Sequence, residues 1–371
     1  MSRSIALVAI GGTGWMGGAN YIRNLAAAIH AADPQQPVHY LVGETLAADW
    51  ADAAPRTIVA THGGIIRRFA IGARKLSAAA RDAAFVYPLT YDNDYNLGLR
   101  WPVAPALGHT RWAGWIPDFQ HRHLPELFSA EEIRRRDESI AQLVEEAPKV
   151  VLSSESAAKD FLRFFPAHAA KAAVWRFAVP PPMLEDEPCA APPRFLLVCN
   201  QFWTHKNHLV IFRALGLLRE RGIRPVVLCT GQLDDYRDRD YAEKIRAALE
   251  GLGDQVTLLG LLPRTQQLAL MRRALAIIQP SLFEGWSTVV EDCRALGRPI
   301  LLSDLPVHRE QNPPEARYFP PESAEALAEL LRETWENFSP GPDEAAEEIA
   351  LAQAQTRLAL VGRRFLEIAR T

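Results

Sequence analysis

The stretch PSLFEGWSTVVEDCRALG, Pro280–Gly297, decides how this chain is read. The apolar run Ala276–Gln279 before it reads as a short buried strand. A loop with Glu284 and Gly285 follows, and Ser287 or Thr288 then stands where a helix N-cap belongs. Val289, Val290, Cys293 and Leu296 recur at helical spacing and define a buried face. At about 100° per residue, Glu291 points nearly opposite that face and is expected in solvent. Asp292 lies on the flank, one turn beyond Thr288, and is the acid expected to reach a ligand at the helix start. Free N–H groups and the positive end of such a helix suit a diphosphate. Gly285 permits close backbone approach, with Trp286, Ser287 and Thr288 beside it. Glu284 is placed to accept hydrogen bonds from sugar hydroxyls.

Outward from this stretch, short apolar strands alternate with helical patterns. Strands are expected at Arg194–Cys199, Pro225–Thr230, Val256–Leu259, Ala276–Gln279 and Pro299–Leu302. Helices are expected at His205–Arg221, Tyr241–Leu252, Gln266–Ala274 and Ser287–Leu296. The N-terminal half has the same character, from the strand Ile5–Ile10 to Ala172–Phe177, with helices at Glu131–Glu146 and Ser156–Phe164. Such alternation predicts parallel sheets with right-handed crossovers. The segment 179–193, VPPPMLEDEPCAAPP, is too rich in proline for a helix interior and reads as a semi-rigid linker. The expected architecture is α/β: two facing Rossmann-like domains, 1–178 and 194–343, with a central cleft and closing helices over 344–371.

Gly11, Gly14 and Gly17 form G-x-x-G-x-x-G between the first strand and a helix. The spacing resembles that of sugar epimerases and extended short-chain dehydrogenases, and Glu44 stands where a ribose contact would fall. Those enzymes need Y-x-x-x-K, which does not occur; Tyr241 and Lys244 are three apart. An NAD(P)-dependent epimerase or dehydrogenase is therefore the second reading. The loop, with Gly12 and Gly14, is taken first as a wall that admits a sugar or phosphate.

Composition narrows the rest. The 371 residues carry a formal net charge of −3, with 41 basic and 44 acidic residues, so bulk charge does not point to nucleic acid. No apolar run reaches the roughly 18–20 residues of a membrane span, and the start lacks a signal-peptide pattern. Cys189, Cys199, Cys229 and Cys293 show no metal-type spacing, so reduced thiols in the cytoplasm are expected. Asp92-Asn-Asp94 is the nearest approach to a D-x-D metal motif and reads as turn chemistry, so no metal or cofactor is expected.

The segment Pro280–Gly297 resembles the E-x7-E region of retaining GT-B glycosyltransferases of the group 1 type, glycosyltransferase family 4. The resemblance implies that Glu284 meets the donor sugar and the second acid the nucleotide ribose; eight residues on, that acid is Asp292. It also covers NQFWTHKNH at 200–208, where a basic residue and then a lysine would meet the diphosphate; Gln201 and Lys206 occupy those places. A lysine in a helix's first turn opposes the helix dipole unless an anion is near, which supports a ligand role for Lys206. IPDFQHRHLP at 116–125 resembles the acceptor-side loop, with Asp118 in the aspartate place and His121 nearby; both are expected to face the cleft. Ser153–Ser156 reads as helix capping. The family precedent also has the last helix crossing back to the N-domain.

What this implies is transfer of a hexose, with retention, from a nucleotide-diphosphate sugar such as GDP-mannose or a UDP-hexose. The acceptor would be a glycan or lipid-linked saccharide, as in polysaccharide biosynthesis. Lys206 and Glu284 would be the central residues, with Asp118 and His121 on the acceptor side. Peripheral contact with the inner face of a membrane through Arg100, Trp101, Arg111, Trp112 and Trp115 is a further expectation. The third reading is a non-catalytic nucleotide-sugar-binding partner, because Gln201 lacks the charge of a basic residue.

Overall fold

The computed structural model describes residues 4–12, 15–59, 82–92, 96–97, 107–183, 191–235 and 237–371. Gly14, Asn93, Asp94, Arg100, Trp101 and Cys189 lie outside the described residues. The chain divides into two units. Met1–Arg122, Ser129–Pro180 and Thr356–Thr371 form the first; His123–Phe128 and Pro181–Gln355 form the second. The division thus falls inside the proline-rich segment, after Pro180, and the end of the last helix belongs with the first unit.

The first unit is built on a 7-stranded sheet: β1 Ser4–Val8, β2 Val38–Gly43, β3 Arg56–Val59, β4 Ala83–Leu89, β5 Arg111–Ile116, β6 Val150–Leu152 and β7 Ala172–Val174, in the order β3-β2-β1-β4-β5-β6-β7. Its neighbouring strands all pair in parallel, and Leu7 on the middle strand aligns with Tyr40 on one side and Tyr87 on the other. Ile5, Ala6, Leu7 and Val8 are all buried, as an apolar strand covered on both faces must be. Among the described residues its helices are α1 Met16–Ala32, α3 Ala130–Glu146 and α4 Glu155–Phe164, with the short α2 Gln120–His123 ending at the border of the second unit. Ser154 caps α4, its Oγ accepting from the Ala157 N–H at 3.0 Å, as the serine run predicts.

The second unit carries a 6-stranded sheet: β8 Leu196–Cys199, β9 Val227–Thr230, β10 Val256–Gly260, β11 Ile277–Gln279, β12 Ile300–Ser303 and β13 Ala316–Phe319, in the order β10-β9-β8-β11-β12-β13. Helices α5 His208–Glu220, α6 Tyr241–Ala248, α7 Arg264–Arg273, α8 Thr288–Ala295, α9 Pro306–Gln311 and α10 Ala324–Asn337 alternate with the strands. Two apolar clusters form its core. One includes Leu196, Val198, Ile211, Leu215 and Leu327; the other includes Leu197, Ile277, Val289, Val290, Cys293 and Leu296. Successive strand residues therefore alternate between clusters, and the predicted face of α8 is the buried one. The closing segment is a single helix, α11 Glu344–Arg370.

Two expectations about elements need correction. The helix expected from His205 begins at His208, because Thr204–Lys206 forms a 3-10 turn and Asn207 takes a left-handed conformation at φ 56°. Asn207 is held there by its own amide, which donates to the carbonyls of Pro280 at 3.1 Å and Pro321 at 2.8 Å. The short elements α9 and β13, and the helix α10, were not among the expected elements. Ala316–Phe319 at the sheet edge is only partly buried before its last residue, so it lacks the apolar run that marks an inner strand.

Candidate functional site

In the second sheet β8 lies between β9 and β11. The connections leave β8 in opposite directions, which makes the carboxyl ends of β8 and β11 the topological switch point where such sheets take ligands. The loops leaving those ends carry Asn200–Lys206 and Pro280–Ser287, the two stretches singled out in the sequence.

The structure joins them through one carboxylate. The Lys206 ammonium lies 2.6 Å from Glu284 Oε1. Gln279 Nε2 donates to the same oxygen at 2.8 Å, and Ser281 Oγ at 2.7 Å. Because a carboxylate only accepts, Gln279 must face it with Nε2, and its Oε1 accepts from the Asn200 amide at 3.0 Å. The side chains of Lys206 and Glu284 are only 15% and 9% exposed, so solvent screens their attraction weakly. Burial alone would raise the Glu284 carboxyl, but the Lys206 charge and hydrogen bond, with smaller help from His308 and Ser281, hold it below its ordinary range.

The turn that presents Lys206 is anchored from beneath. Asp235 Oδ2 accepts from the Thr204 N–H at 2.7 Å and hydroxyl at 3.0 Å, and Asp235 pairs with Arg237 at 3.0 Å. Lys206 closes this turn instead of opening a helix, so it does not stand in the helix's first turn against the dipole. Its partner anion is Glu284.

Gln201 does not face this pair through its amide oxygen, which accepts from the Gln232 N–H at 2.7 Å. Ser287 caps α8 as expected, accepting from the Val290 N–H at 3.4 Å. The Ser287 backbone is clamped by the Gln311 amide, at 3.1 Å to its N–H and 3.0 Å to its carbonyl. Among the described residues, the N–H groups of Thr288 and Val289 have no partner. Gly285 and Trp286 are buried in the loop before the cap.

Glu291 corrects the sequence reading. It is 1% exposed instead of solvated, because Gln311 from α9 covers that side of α8 and donates to its carboxylate at 3.1 Å. Asp292 is equally buried, gripped by both guanidinium nitrogens of Arg264, one at 2.6 Å. Arg264 is 41% exposed and was not singled out in the sequence. Nor were Gln279 and Ser281; a glutamine closing the apolar run AIIQ was the available signal.

In the first unit, Asp118 Oδ1 accepts from the Gln120 N–H at 2.8 Å and so helps start α2. His121 is 2% exposed, its Nε2 3.0 Å from Asp137 of α3. Burial lowers its pKa, opposed by Asp137. The glycine loop has a packing cause. Gly11 has φ +64°, a Cβ on it would overlap the Trp15 carbonyl, and a Cβ on Gly18 would meet the Trp15 ring at 2.7 Å. Trp15 in turn stacks with Trp115, centroids 6.1 Å apart. Gly12 is buried, its carbonyl accepting from the Trp15 N–H at 3.0 Å. Glu44 opens a 3-10 turn after β2.

Solved structures share this architecture. The Anabaena protein HepE, crystallised with UDP and glucose, matches with a TM-score of 0.72 at 16% identity, over 100% of each chain. Sucrose-phosphate synthase from Thermosynechococcus elongatus matches at 0.68 and 15%, over 99% of this chain and 98% of that one. A UDP-forming trehalose-phosphate synthase from Burkholderia xenovorans matches at 0.64 and 13%, over 100% and 99%. The fold is that of the GT-B glycosyltransferases. Residues 185–349, which contain Lys206, Glu284 and Asp292, match the family model for glycosyl transferases group 1. No curated protein matches the chain. The family match falls within the second unit, and the likeness to the solved structures is one of fold.

Among the described residues no helix is long and apolar enough to cross a membrane, and no group of acids, histidines or cysteines is arranged to hold a metal.

Proposed function

We propose that the chain is a retaining glycosyltransferase of the family 4 type. It would move a hexose from a nucleotide-diphosphate donor, a UDP-hexose or GDP-mannose, to a hydroxyl of a glycan or lipid-linked acceptor in polysaccharide biosynthesis. One observation carries the reading: an ammonium and a carboxylate 2.6 Å apart at the switch point, in a segment that matches the group 1 model. The crystallised partners of HepE, UDP and glucose, are the same kind of ligand.

In this reading the donor diphosphate lies against Lys206 and the free N–H groups of Thr288 and Val289, while Glu284 accepts from a sugar hydroxyl. The bond between the anomeric carbon and the diphosphate oxygen breaks as the acceptor oxygen bonds to that carbon from the same face. The acceptor proton passes to the leaving phosphate, so no side-chain base and no metal is required. Lys206 and the helix start stabilise the charge that grows on the leaving group. Lys206→Ala is expected to lower the transfer rate by about 100-fold or more, the scale of one lost transition-state contact, and to lower Tm as well, because the buried Glu284 loses its counter-charge. Near-native turnover, followed as nucleoside diphosphate release from UDP-glucose or GDP-mannose, would take Lys206 out of the mechanism.

A binding partner without activity is the competing reading, supported by Gln201, whose oxygen is spent on the Gln232 backbone. Steady donor hydrolysis by the pure protein decides against it.

A further inference from the structure

Glu284 is asymmetrically bound. Among the described residues its three side-chain hydrogen bonds, from Lys206, Gln279 and Ser281, all end on Oε1. None ends on Oε2, which keeps access to solvent. The polarity of the cluster is determined throughout. The Glu284 carboxylate can only accept, so Gln279 must donate with Nε2 and accept from the Asn200 amide with Oε1. Ser281 Oγ accepts from Gln279 at 3.1 Å and passes its own hydrogen to Glu284. Gln279 and Ser281 are both 0% exposed. Three donors leave Oε1 little remaining capacity and favour the ionised carboxylate.

We propose that Gln279 and Ser281 are positioning residues. With Lys206 they hold one oxygen of Glu284 and present the other as an acceptor for a hydroxyl of the donor hexose. The proposal deepens the glycosyltransferase reading and rests on it for the identity of the ligand. The cluster itself stands on geometry alone. A buried neutral glutamine is suited to this task. It supplies a donor without adding a charge that would compete with Lys206 for the diphosphate, and the carboxylate, which can only accept, keeps its amide from turning over.

The charged and titratable groups that face Glu284 are Lys206, from the turn after β8, and His308, from α9. Gln279→Glu adds a second carboxylate of nearly the same shape about one hydrogen bond away. Like charges that close share a proton, so the Glu284 midpoint is expected to rise by about one unit or more. The readout is the carboxyl resonance of 13C-labelled glutamate, assigned by its loss in Glu284→Gln and titrated in the full-length wild type and Gln279→Glu. A midpoint that stays put in a folded Gln279→Glu variant overturns the proposal.

A second arm uses Gln279→Met, with Ser281→Ala in reserve should that variant not fold. UDP-glucose and GDP-mannose are expected to bind about tenfold more weakly, while UDP and GDP bind as to the wild type. Equal losses for sugar nucleotide and bare nucleotide also overturn the proposal, because a merely structural role would weaken both. If the wild type binds and turns over none of these nucleotides, the glycosyltransferase reading fails by itself, and the titration alone then judges whether Gln279 and Ser281 govern Glu284.

Discussion

Asp292 and Glu291 adjoin on α8 and are equally buried, but they are reached from different sides. Glu291 is enclosed by Gln311 and by Arg294 at 3.7 Å, both within the fold. Asp292 is held by Arg264, whose own side chain stays 41% exposed, so a ligand arriving from solvent meets that ion pair first. Asp292→Asn is therefore expected to weaken binding of nucleoside diphosphate about tenfold, the loss of one hydrogen bond between charged groups. Glu291→Gln is expected to leave binding unchanged and lower Tm, since it removes a buried charge from Arg294. Calorimetric titration with UDP and GDP beside thermal unfolding checks both; the opposite ranking would remove Asp292 from the site. The sequence identified Asp292 by counting degrees around a helix. The same count misplaced Glu291, because a helical wheel does not know that α9 packs over the other side.

At the scale of elements, α11 shows how a small residue determines a docking contact. Its C-terminal part lies on α1: Leu358 packs with Ala28 and Ala178, and the Trp175 indole N–H donates to the Val361 carbonyl at 2.9 Å. At Gly362 the helices approach so closely that a Cβ would overlap the Ala28 carbonyl and stand 2.8 Å from the Ala32 Cβ. Backbone cannot give way as a flexible side chain can. Gly362→Ala should gain about 0.5–1 kcal/mol of helix propensity but lose about 1–3 kcal/mol to overpacking. Net destabilisation, read as a lower urea midpoint, is expected; a stabilised variant would show that the helices can part at no cost. Alanine-rich periodicity made this helix legible. The need for glycine at one position was not, since it depends on a neighbour more than three hundred residues away in sequence. Lys206 repeats the lesson, for its turn is shaped by Asn207 and Asp235, not by the helix pattern that follows.

For the molecule as a whole, the buried histidines set the response to acid. His205, His208 and His308 all have pKa values lowered by burial, with the Lys206 charge adding to the effect on each; His208 falls from 6.5 to about 3. His208 stacks on Phe202 with centroids 4.0 Å apart, and neither of its ring nitrogens has a partner among the described residues. Below its ordinary value of 6.5 the unfolded chain takes up protons that the folded chain refuses, so stability falls as pH falls through that range. Glu284 acts lower down. Its depressed pKa contributes stability above its ordinary 4.5, and that contribution is lost as pH drops through the folded value. Thermal unfolding from about pH 7 to about pH 5 should show Tm falling, and His208→Phe should flatten the fall because it removes one proton-binding group from the unfolded state. An unchanged slope would mean that His208 takes its proton while folded.

Most of the alternation of strands and helices, the α/β class, the buried face of α8 and the choice of Lys206 and Glu284 as candidates followed from the sequence by itself. Each depends on local patterning, either the period of apolar residues or the spacing of a motif, and such patterns survive in one dimension. The tertiary structure alone decided that Lys206 and Glu284 are paired, that Gln279 and Ser281 hold the carboxylate, that Arg264 grips Asp292, and that the glycines near Trp15 make room for its ring. Those outcomes depend on which loops meet at the end of a sheet, and hydrogen-bond partners far apart in the chain leave no periodic trace in it.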